Sequence, residues 1–262
     1  MDRSIAALTA GLLSELKKLD TTSNNLANLN TPGFVRDETF SNWMSVFQLN
    51  ARINPNPAGS DALRLQTLLE NRNQDGTLVE AMPIMEPAAL EHTGDPLDVA
   101  IKGDGFFVLR NGDQEIYTRR GRFSIDGEGN LLSTDGLPVM GADGPIRIPN
   151  GGGAQPNELT IEPDGAIFNG GQQVGQLKVV RMPEEGRLSK VGDTAFTMGT
   201  DVQPAPAGEK MQVVQGYLER SNVSVVKEMT DMISSMRSFE TYQKVVQMVD
   251  ELKGKFIQTV TG

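Results

Sequence analysis

The sequence predicts an α+β fold: long N- and C-terminal helices that pair in a coiled-coil layer, with a mainly antiparallel β domain and an extended connector inserted between them. Three observations lead there. Residues 2–29 and about 224–260 carry apolar stripes at helical spacing and contain no proline. All 14 prolines fall between Pro32 and Pro206, and 22 of the 28 glycines between Gly94 and Gly216. Within that middle, short apolar runs alternate with turn residues, the pattern of an antiparallel sandwich or irregular barrel.

In the first segment Ile5, Leu8, Leu12, Leu16, Leu19, Ser23 and Leu26 recur at helical gaps. A helix over these 28 residues runs about 42 Å at 1.5 Å per residue, longer than a small domain is wide, so its stripe needs a partner. The last segment repeats the pattern with Val225, Met229, Ile233, Met236 and Phe239, then Val246, Val249, Leu252, Phe256 and Val260. Ser224 is placed to cap it, with Glu228 and Asp231 near the positive end of the helix dipole and Lys253 and Lys255 near the negative end.

The middle changes period. Phe106–Leu109 and Glu115–Thr118 flank Asn111-Gly112, a hairpin signal. Arg122–Ile125 and Leu131-Leu132 flank Asp126-Gly127-Glu128-Gly129, and Pro138–Met140, Ile146–Ile148, Leu159–Glu162, Ala166–Phe168 and Gln176–Met182 read as further strands. The expected organisation is a helix over 1–34, a connector over 35–95, a β domain over 96–216 and a second helix over 217–262. Within the connector the apolar residues are Phe40, Trp43, Met44 and Phe47.

Composition removes much enzymology. The chain has no cysteine and one histidine, His92, so thiolate metal sites, most zinc geometries and His-based triads are excluded and no metal or cofactor is expected. No apolar run is long enough for a secretory signal or a membrane span, so a soluble chain without membrane insertion is expected. The net charge of −10 is unevenly held. Residues 1–34 carry three acids and three bases, and 217–262 six of each, so the whole acidic excess lies in 35–216. An acidic middle argues against nucleic acid as its partner, while neutral ends can pack copy against copy without repulsion.

Candidate motifs for chemistry fail on spacing. Gly103-Asp104-Gly105 lacks a third glycine at Val108 and precedes strand residues, so it reads as a turn. Asp126–Asn130 lacks the alternating ligands of a calcium loop and reads as a hairpin turn. No catalytic residue is identified; a hydrolase would need a carboxylate pair in a cleft, and Asp104, Asp126 and Glu128 are the acids whose placement bears on it. Asn24, Asn25 and Asn28 are harder to dismiss, because asparagine weakens a helix unless its amide is used. Their amides suit hydrogen bonds that fix register, whereas the alternative reading is a frayed helix end before the turn that Pro32-Gly33 favours.

The run Ser23-Asn24-Asn25-Leu26-Ala27-Asn28-Leu29-Asn30-Thr31-Pro32-Gly33-Phe34 resembles the N-terminal signature of the flagellar rod and hook protein family. Gly94–Phe107, Tyr117-Thr118-Arg119 and Gly121-Arg122-Phe123 resemble its central stretch, and Ser221-Asn222-Val223, Glu228-Met229, Asp231-Met232-Ile233 and Arg237–Glu240 its C-terminal signature. The resemblance looks strongest to proximal rod members, with distal rod members as the alternative. It implies a non-enzymatic structural subunit of the basal body, exported through the flagellar type III apparatus without a cleaved signal and placed in the rod across the periplasm. The implied partners are copies of itself, other rod proteins and the export apparatus. The expected assembly contacts are Ile5, Leu8, Leu12, Leu16, Leu19, Asn24, Asn25, Leu26 and Asn28, against Val225, Met229, Ile233, Met236, Phe239, Val246 and Val249 of the same or an adjacent subunit. Thr31, Pro32, Gly33 and Phe34 form the signature turn.

Overall fold

Phe106-Phe107-Val108-Leu109 is apolar without alternation, and a strand of that kind is stable only when both of its faces are covered. In the computed structural model, which describes residues 2–41, 79–149, 159–182, 188–198, 204–206, 208 and 211–261, this run lies inside a six-stranded antiparallel sheet. The spatial order is Leu188–Val191, Ala195–Met198, Gln114–Thr118, Phe106–Asn111, Val179–Arg181, Ala205–Pro206. Phe107 and Leu109 join Val99, Ile101, Ile116, Phe123, Leu131 and Ile167 in one buried cluster, whereas Phe106 and Val108 join Val35, Tyr117, Val180 and Phe196 in another. Edge-on ring contacts of Phe107 with Phe123 at 5.2 Å and Phe106 with Phe196 at 5.8 Å reinforce the two cores.

These strands belong to one of two compact units, formed by residues 28–36 and 85–223. Its first hairpin pairs Phe106–Asn111 with Gln114–Thr118 and turns through Gly112-Asp113, with Gly112 at φ +60°. The turn falls one residue later than Asn111-Gly112 because glycine is the residue that takes the positive φ. Phe123–Ile125 pairs with Leu131–Ser133 across the expected turn, where Asp126 accepts hydrogen bonds from the Glu128 and Asn130 amides and from Asn130 Nδ2. The Gln176–Met182 run divides into Gln172–Gln176 and Val179–Arg181, which serve different sheets. Among the described residues the strands do not close into a barrel. Leu188–Val191 and Ala205–Pro206 are the outermost described strands of the largest sheet, and the architecture is α+β with several antiparallel sheets.

The other unit comprises residues 1–27, 37–84 and 224–262. It contains α1 (Asp2–Ala27), β1 (Asp37–Ser41), β2 (Val79–Pro83) and α2 (Val225–Thr261). β1 and β2, which pair antiparallel from Asp37 opposite Pro83 to Ser41 opposite Val79, lie within the stretch 35–95 expected as an extended connector. Trp43, Met44 and Phe47 lie outside the described residues. The helices are 26 and 37 residues long, about 39 and 55 Å at 1.5 Å per residue. None of the described helices is long and apolar enough to cross a membrane.

Two features yield tests of the fold. A Cβ at Gly121 would lie 1.6 Å from the Val99 carbonyl oxygen, while Gly112 has open space but a positive φ. Gly121→Ala is expected to cost more than about 4 kcal/mol and Gly112→Ala only about 1–2 kcal/mol, read by urea unfolding. The buried Tyr117 hydroxyl donates to Glu115 Oε2, and burial first, then the Glu115 charge and hydrogen bond, push its pKa from 10.0 up to about 12. The phenol then keeps its proton in the folded chain after the unfolded chain has lost it. This contribution is complete below pH 10 and lost as pH rises through about 12. Tyr117→Phe should flatten that alkaline decline in a pH series of unfolding midpoints; an unchanged slope refutes the assignment.

Candidate assembly interface

Asparagine, threonine and glycine are poor core residues on a helix, yet the face of α1 turned inward is built largely of them. Asn25 is 1% exposed, and Thr21, Thr22 and Gly11 are buried. The threonine hydroxyls donate to the Lys17 and Lys18 carbonyls one turn back, which satisfies them without leaving the helix. Asn25 reaches three groups. Its Nδ2 donates to the Asp37 carbonyl at 2.9 Å and to Glu228 Oε2 at 3.1 Å, while its Oδ1 accepts from the Asp37 amide at 3.0 Å. One side chain thus ties α1 to β1 and to the first turn of α2, the third group being the buried Glu228.

A second close approach sets the same register. A Cβ at Gly11 would sit 2.8 Å from the ring of Tyr242, so only glycine admits that ring. Gly11 and Asn25 are separated by as many residues as Glu228 and Tyr242, two heptads on each helix, so the helices run antiparallel without slippage. Glu228, Met232, Ser235, Phe239, Tyr242, Val246 and Val249, buried or half-buried, follow heptad spacing, with Ser238 and Val245 half-buried beside that line.

The expected α2 stripe therefore divides. Phe239, Val246 and Val249 lie on the half-buried line, but Val225, Met229, Ile233 and Met236 are 37%, 53%, 51% and 53% exposed, joined by Val226 at 78%. A residue advances about 100° round a helix, which places the 225, 229, 233, 236 line roughly a quarter turn from the 228, 232, 235, 239 line. Within one chain these four do not form the pairing face, because the small and polar residues beside them admit closer helix approach. On α1, Leu8, Leu12, Leu19 and Leu26 are half-buried and Leu16 is 37% exposed; the side chain of Ile5 lies outside the description. Asn24 is on the exposed side.

Asn28 and the signature turn belong to the other unit. Thr31 Oγ1 donates to Asn28 Oδ1, Gly33 N donates to the Glu219 carbonyl at 2.8 Å, and Phe34 is 1% exposed. Gly33 has φ +70°, and a Cβ there would meet the Arg120 amide nitrogen at 2.5 Å. Lys190 Nζ stands 4.0 Å over the Phe34 ring and donates to the Val35 carbonyl. Asn222 Oδ1 accepts from Arg36 N at 2.7 Å. Beside them Arg119 holds Glu219 through Nε at 2.7 Å and Nη2 at 3.2 Å, and donates to the Gly103 and Gly105 carbonyls. Residues from all three signature stretches thus meet round one cleft of about 310 Å³. This convergence is invisible to spacing.

Three family profiles match along the chain: "Flagella basal body rod protein" over residues 7–34, "Flagellar hook protein FlgE/F/G D1 domain" over 100–169, and "Flagellar basal body rod FlgEFG protein C-terminal" over 214–259. The flagellar basal-body rod protein FlgF of Salmonella typhimurium is 33% identical over the whole of this chain and 99% of its own length. The chain belongs to the flagellar basal-body rod protein family. FlgF of Escherichia coli is 32% identical with the same coverage, and FlgG of Bacillus subtilis 30% identical over 96% of this chain and 97% of its own. Within the family the chain is FlgF-like, and its class is that of a structural rod subunit of the basal body.

The Asn25 site has a direct test. Asn25→Ala removes the hydrogen bonds to the Asp37 amide and carbonyl and to the buried Glu228 carboxylate, and is expected to cost about 3 kcal/mol of helical-unit stability. Glu228→Gln keeps an acceptor for Asn25 Nδ2 and should cost under about 1 kcal/mol. Urea unfolding followed by helical circular dichroism distinguishes them; equal losses would show that the charge, not the amide bond, matters.

Proposed function

We propose that this rod subunit polymerises through its terminal helices into the axial drive shaft of the flagellum, with its β-rich unit as the outer layer and the helices as an inner coiled-coil layer. The observation that carries this is the apolar line Val225, Met229, Ile233 and Met236, exposed on a helix whose other face is already taken by α1. Its occupant is a second copy, or another rod protein of like surface. The charge count supports a homotypic fit, since both terminal segments are neutral. In this reading Leu12, Leu16 and their neighbours on α1 supply the opposing surface, Asn24 on the exposed side fixes the register between copies, and Asn25 fixes the register within each.

Magnitudes favour a lattice over an isolated dimer. Burying each exposed stripe residue is worth at most roughly 1.5–3 kcal/mol, so one strip supplies about 6–12 kcal/mol. Association itself costs about 4–15 kcal/mol, so a single strip contact is marginal and several simultaneous ones are needed. A chain of this kind associates only weakly in isolation, at high concentration, and polymerises where a growing end offers more than one neighbour.

Export through the type III apparatus without a cleaved signal, and residence in the periplasmic span of the rod, follow from the family reading. A structural, non-catalytic role is supported by the side chains. Both Glu219 oxygens are held by Arg119, and Asp126, whose hydrogen bonds from Asn130 hold its carboxyl below the usual carboxylate range, closes a turn with Glu128. Of Asp104, Asp126 and Glu128, Asp104 alone lines the cleft. A distal rod role is the alternative within the family, favoured by the FlgG relative of nearly full coverage.

Ile233→Asp combined with Met236→Asp tests the proposal. Both side chains are exposed, so unfolding should shift by less than about 0.5 kcal/mol per site. Cells carrying the variant should be non-motile, and purified basal bodies should lack the subunit. Normal swimming with a normal complement of subunit in the rod overturns it.

A further inference from the structure

We infer that Met229 and Met236 are oxidation sites through which peroxide-class oxidants block assembly of this subunit. The inference rests on the reading of the exposed α2 line as the contact between copies. The chain has no cysteine, so its 12 methionines are its only sulfur, and four of them, Met229, Met232, Met236 and Met248, lie on α2. Met229 and Met236 are each 53% exposed, lie two turns apart on one line and flank Ile233. Met140, by contrast, is 8% exposed in the core of the β-rich unit.

Methionine suits such a face for a physical reason. Its unbranched thioether adapts to neighbours that present slightly different surfaces, which leucine or isoleucine does less well. That adaptability brings a reactive sulfur to solvent before assembly. A thioether lone pair attacks the terminal oxygen of hydrogen peroxide, the O–O bond breaks, and water leaves after proton transfer. Sulfur is oxidised by two electrons and the peroxide oxygen reduced. The product sulfoxide is polar, and two of them would interrupt the line on both sides of Ile233, converting an apolar strip into one that prefers water. Once copies cover the strip, oxidant no longer reaches it, so the sensitivity belongs to the unassembled chain.

The full-length chain titrated with hydrogen peroxide tests this, with sulfoxide mapped by peptide mass spectrometry and self-association followed by sedimentation. Met229 and Met236 should oxidise at least about tenfold faster than Met140, and association should weaken at least about tenfold as they do. Methionine sulfoxide reductases should restore it. The M229L/M236L chain, measured against its own untreated level, should lose less than about twofold over the same titration. Unchanged association with both residues present as sulfoxides, or equal sensitivity of the M229L/M236L chain, overturns this inference alone. An untreated chain that stays monomeric at its highest soluble concentration overturns the assembly reading as well.

Discussion

The helical unit depends on the amide of Asn25. An amide offers two donors and an acceptor, and here both kinds are spent: on the two backbone groups of Asp37 and on a carboxylate of α2. Leucine contacts tolerate sliding by a turn, because any apolar neighbour serves. A hydrogen-bonded amide in a buried position does not, since a shifted register would strand polar groups at a cost comparable to a substantial part of a domain's stability. The close approach of Tyr242 to Gly11 adds a steric pin two heptads away, and together they give the helix pair one arrangement.

The β-rich unit solves a parallel problem with charge. Arg119 and Glu219 have side-chain exposures of only 11% and 6%, where removing two ions from water is expensive unless their remaining hydrogen bonds are filled. They are filled, by the Gly103 and Gly105 carbonyls on the arginine side and by the Ala88 amide on the glutamate side. The pair therefore serves orientation more than stability. It fixes the Gly103–Gly105 loop and, through the Glu219 backbone, the turn at Gly33. Phe34, Lys190 and Asn222 complete the seat for residues 31–36, so this short turn is constrained in both size and conformation.

Much of this was legible in the residues. Helix existence followed from proline exclusion and apolar spacing, the hairpins from Gly112 and from Asp126–Asn130, and a strand from the run Phe106–Leu109. What spacing could not tell was which side of α2 meets α1. That helix is apolar over more than one line, and a stripe drawn through Val225, Met229, Ile233, Met236, Phe239 and Val246 crosses from one line to the other. The pairing face is marked instead by Gly11, Thr22, Asn25, Glu228 and Ser235, residue types that hydrophobic patterning scores as surface. The choice between sandwich and irregular barrel stayed open for a related reason: strand count and turn spacing do not report how a sheet's edges end.

The two-line character of α2 has a consequence for how the subunit can behave. A helix with a single apolar line, once paired, has nothing left to offer, and its chain is a finished monomer. Here the first line is satisfied within the chain by a polar pin and a glycine gap, leaving the more apolar second line outside. α2 also continues past the point opposite Asp2 for about 15 Å, its backbone helical to Thr261. Isolated helical overhangs are marginal in water, because helix stability comes mainly from packing of an apolar face. In the proposed assembly both the spare line and the overhang gain stability when other chains arrive. Placing specificity in the internal pairing and adhesion on the outside separates folding from assembly, so the subunit can hold one register alone and still be incomplete until it has neighbours.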